Sequence, residues 1–164
     1  MAVRRIRLLG DPILRTKCRP VKDVKSSSSR ALARDLRDTL NDFRKRRRFG
    51  RGIAAPQIGK PVRMIYIKPK GLGALLNPTI TKRSKGTFEL WDDCFSFPEL
   101  LVRVRRYRSI RVTYVDEEGT PRSISATGKL SELLQHEIDH LDGILALDRA
   151  ISTRSIVLRR WRSG

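Results

Sequence analysis

Residues 128–141 read GKLSELLQHEIDHL, and this stretch decides how the chain is organised. Leu130, Leu133, Leu134, Ile138 and Leu141 recur at spacings of three and four, which puts them on one side of an α-helix. The spacing predicts a helix from about Gly128 to Leu141, with Thr127 near its cap and Gly143 just past its end. Both histidines of the chain, His136 and His140, fall inside it and bracket Glu137 in the pattern H-E-x-x-H. Residues four apart stand one turn above each other, so both imidazoles can reach one metal ion while Glu137 addresses the water it activates. Chance occurrence on a charged helix is the competing explanation. The chain's only two histidines lie together here among leucines, which favours a site.

Two histidines leave a catalytic metal short of its usual third protein ligand. Cys94 is the natural candidate, carried in Trp91-Asp92-Asp93-Cys94-Phe95-Ser96-Phe97-Pro98 between two apparent strands, although a buried, inert thiol is the ordinary fate of a cysteine. Cys18 has no metal-ligand neighbours in its segment and keeps that ordinary reading. Asp92, Asp93 and Asp139 are rival carboxylate ligands, with Asp139 at a helical angle that points away from the histidines.

Upstream, Ser26 to Ser29 precede Leu32, Leu36, Leu40 and Phe43, the spacing of a serine-capped amphipathic helix that ends in the basic run Arg44 to Arg48. Gly50-Arg51-Gly52 breaks it and leads into the small-residue stretch Ile53 to Gly59. Strands are expected from Val62 to Ile67 and near Gly86 to Leu90, separated by turns at Lys68-Pro69-Lys70-Gly71 and Asn77-Pro78. Leu100, Val102 and Val104 alternate, as do Ile110, Val112 and Tyr114. Asp116 to Gly119 makes a turn before a further strand around Ser123 to Ser125, and antiparallel pairing is the simplest connection. The tail from Ile151 carries Arg154, Arg159, Arg160 and Arg162 among apolar residues and reads as a short basic helix or a frayed end.

A length of 164 residues fits a single domain, 1–164, around one core. No stretch approaches the roughly 18 consecutive apolar residues that a membrane helix needs, and the opening residues have no signal-peptide pattern. Two cysteines in so charged a chain point to a reducing compartment, so the cytoplasm is expected; a processed organellar form would have the same sequence. The 36 Lys and Arg against 17 Asp and Glu give a net charge of +19, which favours polyanionic partners or serves as a solvated surface. No RNA-reading motif with interleaved aromatics is present, so no sequence-specific nucleic-acid binding is expected.

Three motifs in order resemble the peptide deformylase family: Gly50-Arg51-Gly52-Ile53-Ala54-Ala55-Pro56-Gln57, Asp92-Asp93-Cys94-Phe95-Ser96, and Gln135-His136-Glu137-Ile138-Asp139-His140-Leu141-Asp142-Gly143. Asp11-Pro12-Ile13-Leu14-Arg15 is similar to the family's opening, so the resemblance spans nearly the whole chain. It implies an α+β fold of antiparallel strands around a central helix, and hydrolysis of the formyl group from the N-terminal formylmethionine of nascent polypeptides. It also implies a divalent metal on Cys94, His136 and His140, usually ferrous iron (Fe2+), with zinc, nickel or cobalt as substitutes. Glu137 would take a proton from water and return it to the departing amine. Gln57 and the Phe95 backbone N–H would stabilise the oxyanion, though a glutamine in a loop is by itself unremarkable. Substrate contacts fall to Arg51, Gly52, Ile53, Asp93 and Leu133.

The sequence also departs from the family pattern. Arg51 replaces an apolar residue that helps line the methionine pocket, Asp92-Asp93 replaces Glu-Gly, and Phe95 replaces leucine. Asp93 is thereby expected to add bulk and negative charge where the substrate backbone lies. Formylated nascent peptides and, through the basic patches, the ribosome surface are the partners implied. The alternatives are an amidase or peptidase with another acyl or side-chain preference, or a non-catalytic ribosome- or RNA-binding relative.

Overall fold

The computed structural model describes residues 2–161; Arg162 of the basic tail lies outside the described residues. In chain order the elements are α1 (Ser27–Arg47), β1 (Gly52–Ala54), β2 (Met64–Ile67), β3 (Gly73–Arg83), β4 (Thr87–Asp92), β5 (Leu100–Tyr107), β6 (Ser109–Val115), β7 (Pro121–Thr127), α2 (Gly128–Leu141) and β8 (Ile156–Leu158). The strands form a five-stranded sheet in the order β1-β2-β3-β6-β7 and a three-stranded sheet in the order β4-β5-β8. Every pairing within them is antiparallel, as the α+β expectation required.

The larger sheet is buried on both faces, and strand periodicity assigns each side chain to one of them. On one face Ala54, Ile65, Ile67, Leu75, Ile110, Val112 and Ala126 pack against Leu133, Leu134, Ile138 and Leu141 of α2. On the other, Ile53, Met64, Ala74 and Leu76 pack against Ala33, Leu36, Leu40 and Phe43 of α1. A third cluster, with Val102, Val104, Phe97 and Leu145, lies under the smaller sheet and contains Cys94. Cys18 belongs to the first cluster, and neither cysteine is in a disulfide. Burial pushes the Cys18 thiol up to about 11, so it stays protonated and inert.

The Ser26 hydroxyl caps α1 by accepting from the Ser29 amide at 3.1 Å, as the serine run predicts. Thr127 is the N-cap residue of α2, but its side chain makes no capping hydrogen bond. Two expectations from the sequence need correction. Asn77-Pro78 is no turn between strands; it is a bulge inside β3, where the register shifts between Leu76 and Thr79. Asn77 adopts φ 53°, and its side-chain amide accepts from Val21 N at 2.8 Å and donates to Val21 O at 3.0 Å, so contacts with a distant segment hold the kink. The tail is neither a helix nor frayed at Ile156–Leu158, because those residues pair with Leu100–Val102 of β5 as a third strand. Among the described residues no helix is long and apolar enough to cross a membrane.

Leu36 is fully buried between α1 and the sheet. Leu36→Ala is expected to cost about 2–5 kcal/mol, read as a lower denaturation midpoint with an unchanged slope.

Candidate metal centre

The leucines of α2 are committed to the sheet, and the helical repeat turns His136 and His140 to its other side. The loop after β4 brings Cys94 to meet them. The Cys94 Sγ lies 3.3 Å from His140 Nε2, the two Nε2 atoms are 3.2 Å apart, and all three residues are buried. Their ligand atoms fall within 4.8 Å of one another. Lone pairs this close repel unless something positive lies between them, and one sulfur with two imidazoles is a donor set that transition metals accept. The site is able to hold one metal ion.

The strongest support behind these ligands is ionic. Asp92, expected as a rival ligand, is instead the partner of one: its Oδ2 lies 3.0 Å from His136 Nδ1, which leaves Nε2 facing the site. The same oxygen accepts from Arg106 at 3.0 Å, and Arg106 also donates to Asp139, which Arg149 holds from outside at 2.8 Å. Asp139 thus points away from the site, as its helical angle predicts. Burial opposes charge on His136, but Asp92, with Cys94 adding to it, outweighs burial and raises the ring's basicity well above the ordinary histidine value. Burial likewise opposes charge on Asp92, and His136 with Arg106 overcomes it, keeping the carboxyl ionised. His140 has no such partner. Its Nδ1 is buried without a hydrogen bond among the described residues, and burial reinforced by the charge of His136 draws its basicity well below the usual value.

A small cavity adjoins the ligands, lined by Cys94, His136, Glu137, Gln57 and the Gly50-Arg51-Gly52 turn among others. Glu137 is buried, its Oε2 makes no hydrogen bond among the described residues, and burial pushes its carboxyl up to about 7. Gly52 is the floor against which it rests: a Cβ there would sit 2.7 Å from Glu137 Oε1. Gln57 is held in a 3-10 turn, with its Oε1 accepting from Ala54 N at 2.9 Å. Its Nε2 is thereby aimed at Cys94 Sγ (3.4 Å) and Ser96 Oγ (3.3 Å). The Phe95 ring stacks on Phe43 of α1 with centroids 3.8 Å apart, anchoring the cysteine loop. Gly50, at φ +103°, makes room for that ring, since a Cβ would come within 2.2 Å of it.

Of the substrate contacts expected from the sequence, Arg51, Gly52, Asp93 and Leu133 line the cavity, whereas the Ile53 side chain is buried toward α1. Strand alternation explains this, because Ala54 takes the α2 face and Ile53 the other. The charge of Asp93 is not left over the site: its carboxylate meets Arg159 at 3.1 Å. Arg51 donates to Glu132 and to Lys129 O, so it is tied to the start of α2. Burial raises the Glu132 carboxyl, with Arg51 opposing. Sequence reasoning missed Glu132 and Arg106, and both had a signal. Glu132 stands four residues before His136 on the same helical face, and Arg106 continues the inward positions of Val102 and Val104 in β5.

The family model described as polypeptide deformylase matches residues 3–155. The peptide deformylase of Brucella suis is 35% identical over 171 residues, covering 99% of this chain and 93% of the relative. That of Thermus thermophilus is 40% identical over 162 residues, covering 88% and 80%. Among solved structures, the deformylase from Thermotoga maritima superposes with a TM-score of 0.86 at 31% identity, covering 93% of this chain and all of that one. The solved Thermus thermophilus enzyme gives 0.80 at 42% identity, covering 90% and 85%.

Asp92→Asn keeps the shape of the side chain and removes the charge shared by His136 and Arg106. Metal affinity measured by chelator competition is expected to fall about 10- to 100-fold while the helical circular dichroism signal persists.

Proposed function

The chain belongs to the peptide deformylase family and removes the N-formyl group from nascent peptides; on that premise we propose the role of each residue at the site, with N-terminal formylmethionine as the formylated residue. The observation that carries the assignment is the convergence of Cys94, His136 and His140 beside a buried Glu137 carboxylate oxygen with no hydrogen-bond partner among the described residues. We assign the three ligands to one divalent ion, ferrous iron first, with zinc, nickel or cobalt as substitutes. Bound there, the ion supplies the Lewis acidity that makes water nucleophilic near neutral pH.

Glu137 takes the proton from the attacking water and delivers it to the nitrogen that leaves as the new amino terminus. Its Oε2, without a hydrogen-bond partner among the described residues, is free to accept, and Gly52, having no Cβ, leaves the space that the carboxylate occupies. Gln57 donates through Nε2 to the oxygen that gains negative charge as the formyl carbon becomes tetrahedral, and the Phe95 backbone N–H is the second donor. The fixed Gln57 amide supports this role, because a donor already oriented needs no reorganisation during the reaction. Arg51, Gly52, Asp93 and Leu133 contact the substrate. The chain acts as one domain in the cytoplasm, and its +19 charge holds it near the phosphates of the ribosome where formylated chains emerge.

Formate release from formyl-Met-Ala by anaerobically iron-loaded protein tests the chemistry. Turnover is expected to disappear in Glu137→Ala with metal content retained, and in Cys94→Ser with metal content lost. Acetyl-Met-Ala should resist hydrolysis; its ready cleavage would instead support a broader amidase. Co-sedimentation with ribosomes is expected at low salt and should fall steeply as salt rises, and sedimentation unaffected by salt would contradict an electrostatic attachment.

A further inference from the structure

The tail returns to the metal centre through one residue. Arg159 follows β8, and β8 pairs with the start of β5, so the smaller sheet delivers Arg159 beside the loop that joins β4 to β5. That loop, residues 93–99, carries both the Cys94 ligand and the Phe95 backbone N–H.

Arg159 grips the loop at both ends. Ahead of Cys94, its Nη2 donates to the Asp93 carboxylate at 3.1 Å. Beyond Phe97, its Nε donates to Pro98 O at 2.8 Å and its backbone N–H donates to Glu99 O at 2.7 Å. The guanidinium carbon also lies over the Phe49 ring, 3.9 Å from the centroid. Phe49 leads into the Gly50-Arg51-Gly52 turn and meets the Phe95 ring edge-on, with centroids 5.9 Å apart. The metal cavity is lined by Asp93, Cys94 and Phe95 from the loop and by Gly50, Arg51 and Gly52 from the turn, so one side chain of the tail ties these two segments together.

The middle of the loop is held by other contacts, the Phe95 ring on Phe43 and Leu9 N donating to Ser96 O at 2.8 Å. A ring contact fixes where Phe95 sits, but the direction of its N–H follows the peptide plane shared with Cys94, and that plane turns unless the chain ahead of it is held. Asp93 supplies the hold, and its carboxylate is the handle for Arg159. An arginine suits the task because a planar guanidinium meets a carbonyl, a carboxylate and an aromatic face at once, whereas a lysine ammonium is a point charge on a flexible stem.

We propose that Arg159 is a positioning residue: by holding both ends of the cysteine loop against the glycine turn, it fixes the direction of the Cys94 sulfur and of the Phe95 N–H. Its effect on turnover rests on the deformylase roles proposed above, and its effect on the metal rests on the loop geometry alone. A donor to the developing oxyanion acts in the transition state far more than on bound substrate, so its displacement lowers kcat rather than raising KM.

The test uses the full chain with Arg159→Gln, Arg159→Lys, Asp93→Asn and the Arg159→Gln/Asp93→Asn pair. Each is assayed for formate release from formyl-Met-Ala and, loaded with cobalt, for the absorption bands of the thiolate-bound ion. Arg159→Gln is expected to lower kcat about 10- to 100-fold with KM within about twofold, and to shift the cobalt bands. Arg159→Lys keeps the charge without the fork and should recover only part of kcat; it carries the test if Arg159→Gln does not fold. Adding Asp93→Asn to Arg159→Gln should cost no further kcat, because the handle has already lost its partner. An unchanged kcat, unchanged cobalt bands, a change confined to KM, or additive losses in the pair overturns the proposal and leaves the deformylase activity standing. No formate from the unaltered metal-loaded protein removes the deformylase reading, and the cobalt bands then decide the positioning by themselves.

Discussion

A single carboxylate oxygen, Asp92 Oδ2, is shared between the His136 ring and the Arg106 guanidinium, each 3.0 Å away. This is the constraint on which the site depends. Asp92 ends β4 opposite Val102, Arg106 lies further along the neighbouring strand β5 opposite Phe88, and His136 belongs to the helix on the larger sheet. Arg106 extends the tie to Asp139, a second residue of that helix. Helix and small sheet are thus fastened at two points by buried ions, and the geometry of the ligands follows. Breaking such a network leaves a charge stranded in a low-dielectric interior, a cost on the order of 3–5 kcal/mol.

The two faces of the larger sheet divide the labour. The α2 face fixes the histidines by committing the leucines of the helix, while the α1 face fixes the cysteine loop through Phe95 stacked on Phe43. The ligands thereby come from elements anchored on opposite sides of one sheet. The leucine-to-phenylalanine change in the cysteine motif has a physical reading here, since the larger ring reaches α1 and Gly50 vacates the space it needs.

Much of this was legible in the sequence because it is local. The bounds of α2, the serine cap of α1, the alternation in β5 and β6 and the ligand trio all follow from spacing within one segment or from the family motifs. What escaped depends on contacts between distant segments. Asn77-Pro78 carries the composition of a turn, yet its amide is bound by Val21, and β3 runs through the kink. Ile156–Leu158 has too little length to declare itself a strand without the edge of β5 to pair with. Asp92 looked like a ligand because a carboxylate near a cysteine can be one; its orientation is set by Arg106, from a different strand. Arg51 could be seen to break the family pattern, but not that buried Glu132 would claim its charge.

The placement of the two cysteines, one under α2 and the other beneath the smaller sheet, has a further consequence. A ligand sulfur that meets peroxide first becomes a sulfenic acid, and a neighbouring thiol can rescue it by closing a disulfide. Cys18, the chain's other thiol, is held in a different cluster with its proton firmly attached. A sulfenic acid at Cys94 therefore has no remedy within the chain, and only a thiol from outside can reduce it before further oxidation makes it irreversible, so the chain's catalytic lifetime depends on how reducing its surroundings are.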